Sequence, residues 1–441
     1  MSQQPSVLSR MFRFILWAVL AVLVVGGGVV VFRDTEAPLV ALSPDSPYVT
    51  TAAPLRLTVS DTGSGLKSVE AVVIQGSRSI TILSKSMEGA KTFESDLALP
   101  SEIKEGPLEI RITARDSSLY PFGQAGKTEL SRSYTVDLTP PRVDLESVQN
   151  NVNQGGSCVV SYTLSEEPGK TGVVLGQRFF PGFRTKNGKY AVLFAFPWDM
   201  EPAQFKPVLM ATDKAGNERS RPVPVNAIPH RFRSDSINIS DSFLEDKMPQ
   251  FQSTYPDITR PIDVFLKVNS DLRDKNAALL VQLSHQTAPE PLWSGAFLRL
   301  PNSAPRAGFA DARDYFYQGR KVDHQTHLGV DLASLQAAPV PAANDGVVVE
   351  TGFIGIYGNA VLLDHGMGLQ SLYSHLSQID VQKGDTVKKG QVLGRTGATG
   401  MAGGDHLHFG MLVSGVPVNP VEWWDQHWIT DNFMAKVGNG K

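Results

Sequence analysis

Short segments in which apolar and polar residues alternate recur along most of the chain, and they constrain its fold more than any other feature. Leu55–Val59 and Val159–Leu164 are two examples. A period of two places successive side chains on opposite faces of a strand, so that one face is buried and the other meets water. The sequence therefore predicts a mainly β protein built from many short strands.

Two stretches of about a hundred residues are variants of one module. One opens at Asp34 and the other at Asp137, and each soon reaches proline. Strand-like segments, Ile110–Asp116 and Val208–Asp213, lie near their ends. We interpret residues 34–138 and 139–229 as two β-sandwich modules. They resemble the immunoglobulin-like modules of bacterial surface proteins, which implies spacing or docking, with envelope proteins as candidate partners.

Residues 14–32 form a run of nineteen residues without a charged side chain. A helix of this length spans about 28 Å, close to the hydrocarbon thickness of a bilayer. Arg10 and Arg13 precede the run, which favours a cytoplasmic N-terminus over residues 1–13. The sequence thus predicts a single transmembrane anchor in the inner membrane, with the bulk of the chain in the periplasm or cell-wall space.

A cleavable signal peptide is the alternative, with Gly26–Gly28 as the small-residue cleavage site. The apolar run continues past these glycines through Val29–Phe32, which a mature secreted N-terminus would not need. The retained anchor is therefore preferred. Export is common to both interpretations.

Charge and cysteine content exclude several classes of protein. The net charge is -3, so no basic face for nucleic acid is expected. Cys158 is the single cysteine, which excludes an internal disulfide framework and a cysteine-based zinc site. It lies in an apolar segment and is predicted to be a buried strand thiol.

Residues 230–290 differ from the flanking segments because their apolar residues fall at approximately helical spacing. Asn269 and Asp271 interrupt the pattern, so one helix and two helices both remain open. We predict a partly helical linker packed on its neighbour. The alternative is a segment that covers or positions a functional groove.

Residues 291–428 predict an antiparallel β domain with little helix, followed by a C-terminal tail over 429–441. Strand signals follow one another closely, and glycines punctuate them at hairpin-like intervals. These segments are Gly346–Val349, Ala360–Leu363, Leu369–Tyr373 and Gln391–Gly394. Trp423, Trp424 and Trp428 are expected to dock on this domain rather than to stack on glycans.

Four of the nine histidines fall in three short motifs of this domain. The motifs are His327-Leu328-Gly329-Val330-Asp331, Tyr373-Ser374-His375-Leu376 and His406-Leu407-His408-Phe409-Gly410. Any one of them alone would be a weak signal. Together they lie within about eighty residues, each in a glycine-rich strand context.

The spacing of these motifs suits a metal site. In a strand, His406 and His408 would project from one face about 7 Å apart, one toward a metal and the other beside its water. His327 and Asp331 would lie about 13 Å apart in an ideal strand, so a turn or bulge must bring them together if both bind one ion. Zinc accepts imidazole and carboxylate, and its catalytic sites keep three protein ligands.

From about Gly308 to Trp424 the chain resembles the M23 peptidases, the LytM or lysostaphin-like zinc endopeptidases. The resemblance rests on the three histidine motifs and on the segments between them. These segments are Pro339-Val340, Ala342–Val348, Tyr357-Gly358-Asn359, Asp364-His365-Gly366, Gly384–Gly394 and Gly397-x-Thr399-Gly400. His365 is not a ligand in this family, and His324 matches no family position and is interpreted as a solvated loop residue.

The resemblance implies roles for five residues. His327, Asp331 and His408 would bind Zn²⁺, while His375 and His406 would flank the catalytic water. The implied activity is hydrolysis of the peptide cross-links of bacterial peptidoglycan during cell-wall remodelling. Which of the two flanking histidines acts as base stays open.

Two other functions compete with this one. M23-like proteins that lack zinc residues bind peptidoglycan or activate separate wall amidases without cleaving bonds themselves. A pure envelope scaffold is the other alternative, given the two modules and the anchor. All five family positions are occupied here, which favours a metalloendopeptidase.

Overall fold

The computed structural model describes residues 11, 14–21, 34–118, 126–146 and 150–438. The chain is mainly β, as predicted, and it divides into two compact units. Residues 14–21 of the expected anchor are helical, and its remainder lies outside the described residues. Among the described residues, no helix is both long enough and apolar enough to span a membrane.

Unit 1 comprises the chain up to Pro141 together with Glu167–Gly169 and Thr212–Glu218. Its strands form a three-stranded sheet in the order β1-β3-β6 and a five-stranded sheet in the order β2-β8-β7-β4-β5. The strands are β1 (Leu39–Ser43), β2 (Tyr48–Val49), β3 (Leu55–Ser60), β4 (Leu66–Gln75), β5 (Arg78–Ala90), β6 (Thr92–Leu97), β7 (Gly106–Asp116) and β8 (Lys127–Val136). Alternate residues such as Leu57, Val69 and Ile110 are buried in one shared core.

The second module of the sequence forms a seven-stranded sheet in the order β16-β15-β12-β13-β14-β11-β9, and β10 pairs with β17. The strands are β9 (Val143–Leu145), β10 (Asn151–Asn153), β11 (Ser157–Leu164), β12 (Lys170–Leu175), β13 (Arg178–Arg184), β14 (Tyr190–Ala195), β15 (Val208–Thr212), β16 (Glu218–Pro222) and β17 (Asn226–Ile228). Cys158 is buried and free in β11, as predicted. The sequence predicted that one face of β11 would be exposed to solvent. In the structure, both faces of β11 are buried for most of its length.

The segment over residues 230–290 begins with a strand that the sequence did not indicate, β18 (Ser234–Ile239). Three helices follow: α1 (Asp241–Lys247), α2 (Pro261–Lys267) and α3 (Arg273–Leu283). A π-helical turn, Val268–Leu272, joins α2 to α3. The interruption predicted at Asn269 and Asp271 is this turn, where Asn269 is buried and donates to the carboxylate of Asp323.

The C-terminal domain is antiparallel β, as predicted. Its main sheet has the order β19-β22-β30-β26-β25-β24-β28, with β31 paired to β30, and a smaller sheet has the order β23-β29-β27. Strands β20 and β21 form a third sheet, in which β18 lies parallel to β20. The strands are β19 (Ala304–Ala307), β20 (Asp311–Tyr317), β21 (Arg320–His327), β22 (Val330–Ala333), β23 (Pro339–Pro341), β24 (Gly346–Phe353), β25 (Asn359–Asp364), β26 (Leu369–Ser374), β27 (Gln378–Ile379), β28 (Thr386–Val387), β29 (Val392–Arg395), β30 (Leu407–Val413) and β31 (Val416–Val418).

Residues 429–441, expected to be a tail, are helical as far as Val437, with Ile429 and Phe433 buried. The C-terminal helices are α4 (Pro420–Trp424), α5 (Gln426–Ile429) and α6 (Ala435–Val437). Helix α6 packs on β11 and covers the face of that strand that was expected to be exposed to solvent. Trp423 is fully buried against Trp293 and Trp428, so the tryptophans dock as expected.

Glu422 of α4 holds the C-terminal helices to the second module within unit 2. Its carboxylate accepts hydrogen bonds from the Ser157 amide, at 3.0 Å, and from the Asn153 side chain, at 3.2 Å. In the described part of the chain, no cation pairs with this buried carboxylate in a salt bridge. Burial therefore raises the pKa of Glu422 to about 7.

This raised pKa predicts a pH-dependent stability. Between about pH 4.5 and 7 the folded state keeps a proton that the unfolded chain releases, so the free energy of unfolding should fall as the pH rises through this range. The loss should be roughly 3 kcal/mol and should level off above pH 7. Glu422→Gln should abolish this component. Tryptophan fluorescence during denaturant unfolding at pH 5 and pH 8 measures it, because Trp17 is the only tryptophan outside unit 2.

Glu245→Gln, which removes an exposed glutamate of α1, is the matched control and should retain the wild-type pH slope. An equal slope in wild type and Glu422→Gln would show that Glu422 does not carry the effect.

Candidate active site

The site is built on the antiparallel register of β22 and β30. Asp331 of β22 lies directly opposite His408 of β30. Opposed residues of an antiparallel pair point to the same face, so the carboxylate and the imidazole meet. The Nδ1 of His408 lies 3.0 Å from Oδ1 of Asp331, and both residues are buried.

His327 reaches the same point through a turn. It is the last residue of β21, and Leu328-Gly329 connects it to β22, which belongs to a different sheet. The turn that the sequence required between His327 and Asp331 is therefore present. Gly329 is needed for the close approach, because a Cβ at this position would lie 2.5 Å from Nε2 of His408.

Three potential metal ligands converge at this turn. Nε2 of His327 lies 2.9 Å from both Oδ1 of Asp331 and Nδ1 of His408. Tetrahedral zinc, with bonds of about 2.0–2.1 Å, separates its ligand atoms by about 3.3 Å. Nδ1 of His327 donates to the carbonyl of Gly308 and so directs the Nε2 lone pair toward the other two groups. The donor set and its spacing fit a zinc ion after an expansion of a few tenths of an ångström.

His375 and His406 lie beside these three residues, with ring centroids 4.9 Å apart. Nδ1 of His375 donates to the carbonyl of Thr399 at 2.9 Å, which leaves Nε2 as an acceptor. Nδ1 of His406 bonds to the carbonyl of Gly404, and its Nε2 lies 3.5 Å from Oδ1 of Asp331. The structure thus brings all five predicted residues together.

The backbone at His375 has a φ of 64°, which side-chain-bearing residues rarely adopt. The His375 amide donates to the carbonyl of Tyr357 at 2.8 Å and holds this conformation. Such left-handed positions concentrate at functional sites, where the surrounding structure has to sustain them.

Burial and the Asp331 charge shift the pKa values of His375 and His406 in opposite directions. Burial holds the pKa of His375 well below its ordinary value and lowers that of His408 to about 4. Burial also opposes protonation of His406, but the hydrogen bond and charge of Asp331 outweigh it and raise the pKa of His406. In Asp331 itself burial is outweighed by hydrogen bonds, first from His327, and its pKa falls well below its ordinary value. The site therefore pairs a neutral imidazole with a more basic one.

Arg313 of β20 is a site residue that the sequence analysis missed. Its guanidinium donates to Oδ2 of Asp331 at 3.0 Å, and both side chains are largely buried. The bond leaves Oδ1 facing the histidines. A single arginine in a strand carries no motif, so only the pairing of β20 with β21 reveals its position.

The five residues line a groove of about 600 Å³. The helical segment also lines it, with Phe243, Lys247, Asn269 and Arg273. Two of its residues also hold the loop beside His375. Lys247 donates to the carbonyl of Ala398, and Gln250 accepts from the Gly400 amide at 2.9 Å. The segment thus packs on its neighbour, as a linker would, and its contacts also help to position the groove, which is part of the alternative interpretation.

His324 and His365 lie outside the site. His324 is exposed and bonds to Asp314, as expected of a solvated residue, but it lies within strand β21 and not in the predicted loop. His365 is fully buried, with its ring nitrogens bonded to the carbonyl of Asp345 and the hydroxyl of Ser371, and burial lowers its pKa to about 4. It is a structural residue.

We predict that in metal-free protein the side chain of His375 is neutral, in the Nδ1–H tautomer, at pH 6.5, where an ordinary histidine is half protonated, because burial holds its pKa well below 6.5. Nitrogen-15 NMR of histidine-labelled protein, assigned with His375→Asn, measures this. A resonance that titrates near pH 6.5 would contradict the assignment.

Known proteins match this part of the chain. Residues 325–420 match the model of Peptidase family M23. The DD-carboxypeptidase/endopeptidase Mpg of Neisseria meningitidis is 45% identical over 95 residues, 22% of this chain and 22% of that protein. The peptidoglycan DD-endopeptidase ShyA of Vibrio cholerae is 43% identical over 96 residues, again 22% of each chain. The chain thus spans about a fifth of the length of these curated relatives.

Solved structures are also similar. A peptidase M23 structure from Pseudomonas aeruginosa aligns with 64% of this chain and 96% of its own, at 20% identity and a TM-score of 0.40. The catalytic domain of lysostaphin from Staphylococcus simulans aligns with 30% of this chain and 98% of its own, at 29% identity and a TM-score of 0.26. Residues 325–420, which contain all five site residues, are therefore similar to the M23 peptidases.

Proposed function

We propose that the chain is a zinc metalloendopeptidase that hydrolyses peptide cross-links in bacterial peptidoglycan. The observation that carries the proposal is the convergence of His327, Asp331 and His408, with two further histidines at the same groove. The names of Mpg and ShyA support the substrate class, since both are described as endopeptidases and ShyA as acting on peptidoglycan.

The zinc ligands would be Nε2 of His327, Oδ1 of Asp331 and Nδ1 of His408. Zinc, when bound, supplies a Lewis acid that polarises the scissile carbonyl and lowers the pKa of water toward 7. Arg313 keeps the ligand oxygen of Asp331 in place through its bond to the other oxygen.

The two remaining histidines divide the proton transfers. His375 is neutral and has a free Nε2, so it accepts a proton from the attacking water as general base. His406, whose pKa is raised, can hold a second proton and donate it toward the oxyanion of the tetrahedral intermediate. A groove of about 600 Å³ suits an extended stem peptide.

We further propose that the chain acts in the cell envelope, anchored in the inner membrane by residues 14–32, with its bulk in the periplasm or cell-wall space. The uncharged run and the arginines before it support this. The immunoglobulin-like character of the two modules and their docking of envelope proteins belong to the same proposal.

A non-enzymatic protein that binds peptidoglycan or activates a wall amidase is the alternative. Such a function would need the groove surface but neither the metal nor a general base. The presence of all three candidate zinc ligands, His327, Asp331 and His408, favours the enzyme.

The first test concerns the metal. Purified full-length protein should hold one zinc per chain, and Asp331→Ala or His408→Ala should lose most of it, because two remaining ligands hold the ion weakly. Atomic absorption measures the content. His324→Ala, which removes an exposed histidine outside the site, is the control. Full zinc occupancy in both ligand variants would refute the assignment.

The second test separates base from ligand. His375→Asn should keep its zinc and its fold, because asparagine tolerates the left-handed backbone at this position. Its rate of peptidoglycan hydrolysis should fall by roughly a hundredfold or more, the usual contribution of a general acid–base group. Mass analysis of fragments released from purified peptidoglycan provides the rate, with His324→Asn as the matched control.

The same assay decides between enzyme and activator. The enzyme should lose cleavage on treatment with a chelator and recover it when zinc is restored. Wild-type protein that cleaves nothing alone, yet promotes cleavage by an added amidase even with chelator, would establish the activator instead.

A further inference from the structure

A second group of acidic side chains lies in unit 1, far in sequence from the histidine site. Asp34 precedes β1, Asp61 follows β3, and Asp116 ends β7. A carboxylate oxygen from each of the three lies within 4.8 Å of the others. Three segments that are far apart in the sequence of the module are thus held close together.

The cluster is buried and incompletely paired. Asp61 and Asp116 are each only 4% exposed. Among the residues that the structure describes, no donor reaches Oδ1 of Asp61 or Oδ2 of Asp116. Buried carboxylate oxygens without a partner are costly, so a ligand is needed to satisfy them.

The other oxygens of the carboxylates are held by backbone amides. Gly65 donates to Oδ2 of Asp61, and Ser118 donates to Oδ1 of Asp116 at 2.8 Å. Ser64 donates to Oδ2 of Asp34. These bonds orient each side chain while one oxygen of Asp61 and one of Asp116 remain free. The carboxylates are therefore fixed in place before any ligand arrives.

No cation in the described residues neutralises the cluster directly. Lys91 is the basic residue whose charge acts on Asp34, but its ammonium group donates to the carbonyls of Thr62 and Gly63. Burial and the charges of Asp34 and Asp61 raise the pKa of Asp116, so the three groups repel one another.

The second module has a similar group at the corresponding position, where Asp213 lies near Asp137 and Glu166, but both carboxylate oxygens of Asp213 accept hydrogen bonds. There Oδ1 accepts from the amides of Ala215, Gly216 and Asn217, and Oδ2 accepts from the side chain of Asn217 at 2.8 Å. Asn217 thus supplies an internal donor for Asp213. Asp116 has no such donor among the described residues, so its free oxygen is not a necessary feature of this strand end.

We propose that Asp34, Asp61 and Asp116 form a Ca²⁺ site that ties the segment before β1 to the ends of β3 and β7 in the first module. All three side chains offer only carboxylate oxygens as metal ligands. Such ligands favour a hard cation over zinc. Ca²⁺ accepts irregular geometry and completes its shell with carbonyls and water, whereas Mg²⁺ demands a near-ideal octahedron. Bound Ca²⁺ would stiffen the module directly after the predicted anchor.

The test is calorimetric titration of CaCl₂ into full-length, detergent-solubilised protein that has been depleted of divalent ions and reloaded with zinc. We expect one Ca²⁺ per chain, with a Kd of about 10⁻⁵–10⁻³ M, and weaker binding of MgCl₂. Asp61→Asn and Asp116→Asn should each weaken Ca²⁺ binding at least tenfold. Glu70→Gln removes an exposed carboxylate from β4 of the same module and should bind Ca²⁺ as the wild type does.

Scanning calorimetry supplies a second readout, the thermal stability of unit 1, which is independent of the titration. Saturating Ca²⁺ should raise the unfolding midpoint of unit 1 by roughly 5 °C or more in the wild type and in Glu70→Gln. The two asparagine variants should lose this increase without becoming less stable in the absence of Ca²⁺, because each removes a repelling charge.

Three results would overturn the proposal. They are no saturable Ca²⁺ binding by the wild type up to about 10 mM, equal affinity for Mg²⁺, and unchanged Ca²⁺ binding in both asparagine variants. The first would indicate that the carboxylates share protons instead of a cation.

Discussion

The pairing of β22 with β30 is the constraint on which the candidate site depends. It places Asp331 opposite His408, and the next pairing, of β30 with β26, places Ser374 opposite His408 as well. A slip of one residue would turn every side chain of β30 to the other face of the sheet. Because both faces of β30 are buried, such a slip would also disrupt the core. The hydrophobic core therefore fixes the position of the ligands.

A good deal of this could be predicted from the sequence. Two local features indicate β structure: the alternation of apolar and polar residues in Leu55–Val59, and the glycines between the strands of the C-terminal domain. Both can be recognised within a few residues of sequence. The convergence of the five candidate site residues could be expected because each belongs to a short motif of the family that the chain resembles. The approach of His327 to Asp331 was expected for a steric reason, since no ideal strand could bring them within reach of one ion.

The rest depends on contacts between residues far apart in the chain. Arg313 reaches Asp331 only because β20 pairs with β21, and β18 forms only because the edge of β20 is available to it. The double burial of β11 comes from a helix almost three hundred residues later. Glu422 similarly acquires its raised pKa from partners in β10 and at the start of β11. Local patterns carry no information on such pairings.

The lone thiol of Cys158 has a practical consequence. It lies in a strand that is covered on both sides, so a bulky alkylating reagent can reach it only when this part of the fold opens. The rate of modification in native buffer then measures how often that opening occurs, with no engineered label. Since the chain has no other cysteine, each modified molecule reports one event at one place. Intact-mass measurement of Cys158 alkylation over time would therefore report the rate of local unfolding around β11.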